Sequence, residues 1–130
     1  MTAEPSDPAD RLAESLRAIR ETFLEDLTVR RTELEAMLGE IRDGAAPAER
    51  LPAAARIAHR TAGVSGTLGF PNLGKLAGRV EERLDKALAG PADAGLQDRA
   101  LEAMAILAAQ MTRVAAGRSD CESATLRSGE

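Results

Sequence analysis

Between its proline and glycine breaks, this chain repeats apolar residues every three to four positions. That spacing constrains the fold more than any other feature. Leu12, Leu16, Ile19, Phe23, Leu27, Leu34, Met37, Leu38 and Ile41 fall within one stripe at about 100° per residue. Leu73, Leu76, Val80, Leu84 and Leu88 form another, and Leu101, Met104, Leu107, Met111 and Val114 a third. Each suits the buried side of an amphipathic helix. Of the 130 residues, 26 are Ala and 16 are Leu, while aromatics are 2% with no Tyr or Trp. Strands draw on β-branched and aromatic residues, so a sandwich or barrel is excluded in favour of an all-α fold. The length suits one domain.

The breaks define four blocks. Asp7 is placed to cap the first, and Pro8 suits its first turn, where a missing N–H costs nothing. A helix from there to residue 43 would be roughly 54 Å long, more than a small bundle needs. It is expected either to protrude at its N-terminus or to break near Thr28 to Thr32. The second block runs from Ala48 to Thr67, and Pro52, tolerable in a first turn only, puts the start near Glu49 or at Pro52. The third begins at Pro71 and stops at Gly90-Pro91, and the fourth spans Ala94 to Ala116. The blocks predict an antiparallel four-helix bundle over residues 8–116, with an extended or broken first helix. Residues 1–7 are expected to be a flexible N-terminus and 117–130 a disordered polar tail. Phe23, the larger kind of side chain in a core this poor in aromatics, is expected among the best-buried residues.

Several function classes drop out. With 17 basic and 21 acidic residues the net charge is −4, which argues against nucleic acid as a partner. A single cysteine, Cys121, forbids an internal disulfide, and a single histidine forbids a multi-histidine metal site. No metal or other cofactor is expected on this chain. No apolar run is long enough to cross a membrane, and the acidic N-terminus lacks the layout of a signal peptide, so a cytoplasmic location is expected. There is no GxxxxGK[ST] loop and no GxGxxG, so no ATP-dependent kinase activity is expected.

The lone histidine, His59, lies midway along the second block. Leu51, Ala54, Ile57, Ala58, Thr61, Val64, Ser65 and Leu68 form its inward arc, and His59 points about 140° from the centre of that arc. Ala55, Ala62, Gly63 and Gly66 share the outer face. Glycine within a helix costs about 1 kcal/mol relative to Ala, so bare surface here asks for a reason. Access of another molecule to the ring is one. An imidazole in water at pH 7 is largely neutral and keeps a nucleophilic lone pair, which can take up an activated phosphoryl group as a phosphoramidate. Arg56 and Arg60 are candidates to hold the added negative charge. An incidental surface histidine between two arginines is the competing reading.

The stretch Ala58-His59, with Gly63 and Gly69, resembles the motif of histidine phosphotransfer (HPt) domains. Phe70, Leu73, Leu76 and Glu81 continue the pattern, and Phe23-Leu24-Glu25-Asp26, Leu34 and Leu38 resemble the family's preceding helix. The resemblance covers about residues 20 to 115. It implies that His59 is the phosphoacceptor through Nε2 and that Gly63 leaves room for a partner. It implies that Glu81 accepts a hydrogen bond from the other ring nitrogen. It also implies response-regulator receiver domains or a hybrid histidine kinase as partners, the receiver bringing Mg²⁺, in two-component signalling. One position departs: the family usually has Lys three residues after the histidine, and Ala62 stands there. On the wheel Arg56 lies about 60° from His59 and Arg60 about 100°, making Arg56 the better substitute. Two alternatives stay open beside a monomeric phosphotransfer protein. One is a degenerate module that binds a receiver or another partner without transfer. The other is a bundle that self-associates through its first helix.

Overall fold

The computed structural model describes residues 7–117. Four helices follow one another: α1 (Pro8–Arg42), α2 (Pro47–Ser65), α3 (Pro71–Leu88) and α4 (Ala94–Ala115). The described residues contain no strand. Local chemistry sets the starts. The Asp7 side chain accepts from the Ala9 N–H at 3.0 Å, and the Asp93 side chain accepts from the Leu96 N–H at 3.1 Å. Prolines open α1, α2 and α3. The start of α2 corrects the expectation drawn from Pro52. Pro47 takes the opening position and Pro52 lies inside the helix. The cost is small because Ala48, whose carbonyl would have received the missing N–H, is exposed to water.

The four helices close on one apolar core, with α2 packed mainly on α3, and α4 packed on α1 and α3. Leu34, Leu73, Leu84, Met104 and Leu107 are fully buried within it. So are Ala54, Ala58, Ala77, Ala100 and Ala103, whose small side chains let helices approach closely. Every buried side-chain nitrogen or oxygen among the described residues has a hydrogen-bond partner. Thr61 and Ser65 achieve this by donating to the carbonyls of Ile57 and Thr61, one turn back.

Helix α1 is continuous through Thr28 to Thr32 and so protrudes rather than breaks. Its first residues run past the core: Leu12 is 61% exposed and Ile19 52%, with Leu16 exposed between them. These three were expected inward, and the stripe is real, but no other helix covers it. Phe23 is also corrected. It is only half-buried, with its ring 5.8 Å from that of Phe70. Val64, expected inward, is exposed as well. The cause is common to both: α1 and α2 touch sparsely here and leave an apolar groove of about 370 Å³ that Phe23, Val64 and Leu68 line. One link crosses near this end, where Arg20 Nε donates to the Leu68 carbonyl at 3.0 Å. Among the described residues no helix is long and apolar enough to cross a membrane. The expectations for the two termini fall, apart from Asp7 and Gly117, outside the described residues, as does Cys121.

Candidate functional site

Alternation around α2 decides where His59 points. Ala58 is fully buried and Thr61 nearly so, which turns the intervening positions outward. The His59 side chain is 77% exposed. Its Nδ1 lies 2.8 Å from Oε2 of Glu81, which reaches over from α3 with its side chain 27% exposed. An ionised carboxylate only accepts hydrogen bonds, so Nδ1 carries the proton and donates it. In the neutral ring this leaves the Nε2 lone pair on the open side, away from α3.

Around the ring is a shallow concavity of about 500 Å³, lined by Ala55, Arg56, His59, Arg60, Glu81 and Asp85. The wheel favoured Arg56 over Arg60; the structure puts both at the rim. Neither guanidinium has an ion-pair partner among the described residues, so both are available to an incoming anion. Arg60 also lines the neighbouring apolar groove. Asp85 was not singled out from sequence, although it follows Glu81 by one helical turn and shares its face.

The small residues play different parts. Gly63 and Gly66 are exposed, and a Cβ on either would meet nothing within 4 Å. Together with half-buried Ala55 and Ala62 they leave a low surface beside the ring. Gly66 is the C-cap of α2 rather than an interior glycine, which removes part of the helix cost charged to it. Gly69 has φ +96°, a conformation other residues rarely adopt. It closes the end of α2: the Phe70 N–H donates to the Ser65 carbonyl at 2.8 Å and the Gly69 N–H to Gly66 at 3.3 Å. Gly74, which no spacing marked out, faces α2 closely. A Cβ there would lie 3.4 Å from the Ala62 carbonyl oxygen and 3.5 Å from both the Gly66 nitrogen and Ser65 Cβ.

An exposed nucleophilic nitrogen, backed by a carboxylate and rimmed by two unpaired cations, can accept and return a phosphoryl group if a partner brings one. The family model of the Hpt domain matches residues 18–117. Comparison with curated proteins and with solved structures returned no match. The matched stretch takes in most of α1 and all of α2, α3 and α4, and on that extent the chain belongs to the Hpt domain family.

Proposed function

We propose that this protein is a phosphoryl carrier of a two-component phosphorelay, with His59 as the residue that is phosphorylated. The observation that carries the reading is the geometry of one ring: His59 is exposed on α2, and Glu81 holds its Nδ1 at 2.8 Å. Membership of the Hpt domain family supports it independently. In the step envisaged, the Nε2 lone pair attacks the phosphorus of a receiver's aspartyl phosphate. The Nε2–P bond forms as the P–O bond to the aspartate breaks, and that carboxylate leaves. The ring keeps its Nδ1 proton and becomes cationic, and the Glu81 carboxylate balances that charge. Arg56 and Arg60 offset the charge of the phosphoryl oxygens where Ala62 replaces the family's usual Lys. The receiver's own Mg²⁺ site supplies the rest of the charge neutralisation. Ala55, Ala62, Gly63 and Gly66 form the low surface against which the receiver sits. Transfer onward is the reverse of the same step.

The test is incubation with a phosphorylated receiver domain, with and without His59→Gln. The wild-type chain is expected to acquire label that is lost in acid and kept in base, and the variant none. Ala62 is the observation that favours a second reading, a member that binds receivers without accepting phosphate. Receiver binding with no label on the wild-type chain would decide for that reading.

A further inference from the structure

The contact between His59 and Glu81 joins two helices, so it depends on how closely those helices lie. Two places record the α2–α3 approach. At one, Glu81 meets His59. At the other, Gly74 meets the backbone of Ala62 and Gly66. Gly74 precedes Glu81 by seven residues on α3, and Gly66, the C-cap of α2, follows His59 by seven. Seven residues are two helical turns, about 10.5 Å. The helices therefore run antiparallel with matched register, and Gly74 and Glu81 lie on the same face of α3. At Gly74 the space between the helices is just wide enough for a Cβ and no more. Even a bare Cβ would arrive at contact distance from backbone atoms, which cannot swing aside as a side chain can. By contrast, a Cβ at Gly78, Gly63 or Gly66 would meet nothing within 4 Å.

Resting on the reading of His59 as phosphoacceptor, we infer that Gly74 is a positioning residue for phosphotransfer. The lack of any atom beyond a Cβ at this position lets α3 settle on α2 at the distance that brings Glu81 to His59 Nδ1. Gly74 touches neither ring nor phosphoryl group. It acts through Glu81, and Glu81 acts on the tautomer. A branched side chain at 74 would press on the Ala62 carbonyl and wedge the helices apart. The 2.8 Å bond two turns away would lengthen, and the ring would revert to the Nε2–H tautomer that a free imidazole side chain favours in water. That form has lost the nucleophilic lone pair at Nε2.

His59 is the chain's only histidine, so the imidazole nitrogen-15 signals of the labelled protein come from one residue. They report the tautomer without any reaction. The experiment compares wild type with Gly74→Val, Gly74→Ser and Gly39→Val, reading tautomer and single-turnover transfer from a phosphorylated receiver. A Cβ at Gly39 meets nothing within 4 Å, so Gly39→Val makes the same change in helix propensity without the wedge. Wild type and Gly39→Val are expected to show the Nδ1–H tautomer. Gly74→Val is expected to lose it and to transfer at least tenfold more slowly. Glu81→Gln, slow in the wild-type background, should add less than twofold to Gly74→Val. Should circular dichroism show Gly74→Val unfolded, Gly74→Ser, one heavy atom smaller, carries the same reading. Wild-type tautomer and rate in the folded Gly74 variants would overturn the inference. So would an equal loss in Gly39→Val. Absence of label on wild type would instead overturn the phosphotransfer reading, with the tautomer still deciding the role of Gly74.

Discussion

At the scale of single residues, the site is economical: one ring, one carboxylate and two guanidinium groups. In the proposed reaction Glu81 would have two separable effects, orienting the ring and balancing the cation formed on phosphorylation. Glu81→Gln keeps an acceptor but loses the charge, and its amide can also donate, which permits the wrong tautomer. Transfer is expected to slow about tenfold, equivalent to about 1.4 kcal/mol of barrier, with a larger loss for Glu81→Ala. Single-turnover labelling measures both. An unchanged rate in Glu81→Ala would show that the 2.8 Å contact has no part in the chemistry. His59 could be singled out in the sequence because Ala58-His59, Gly63 and Gly69 carry a spacing that the surface of an ordinary bundle helix does not require, whereas Glu81 was suggested by the family resemblance alone. Gly74 could not, because a glycine's value there lies in another helix's backbone, which no one-dimensional spacing describes. Gly69 shows the converse: its motif position is matched by a concrete conformational need, φ +96°.

At the scale of helices, ends were readable and environments were not. Pro71 and Gly90-Pro91 bracket α3 as their chemistry demands. Pro52 misled because Pro47 had already satisfied the preference for proline at a helix start. Periodicity placed Leu12, Leu16 and Ile19 on the same stripe as Leu34, and it placed them correctly on the helix. What a wheel lacks is the length of the other helices, and α1 outruns them. Burial therefore changes along one unbroken stripe, and mutational cost should change with it. Leu34→Ala, at a fully buried position, is expected to cost about 2–5 kcal/mol. Leu12→Gln and Leu16→Gln, both at exposed positions, should stay within about 0.5 kcal/mol. Urea unfolding of the three variants checks this, and a large loss from either glutamine would mean that something covers the stripe in solution. The family match begins at residue 18, so the helix's first turns, Leu12 and Leu16 included, lie outside it.

At the scale of the whole molecule, the proposed function requires that a second protein reach His59. Gly63→Gln separates access from stability. A side chain at Gly63 enters open space, so the variant should fold and gain up to about 1 kcal/mol of helix stability. The same side chain stands beside His59, where it should sharply reduce transfer from a receiver. Melting temperature and transfer rate, measured together, check both halves. Loss of stability with normal transfer would mean that Gly63 serves packing instead.

The interior carries a different consequence, for how this sequence can change over time. Ala54, Ala58, Ala77, Ala100 and Ala103 are all fully buried, and no aromatic ring is among the residues buried in the core. Helices held by alanines meet nearly backbone to backbone, so tolerance is one-sided. Most cores drift by exchanging one bulky residue for another of like volume. Here a larger residue at any of these alanines must push two helices apart, and at Ala58 it would do so directly beneath the histidine. Sequence divergence in this molecule should therefore gather on its outward faces, while its smallest buried residues change least.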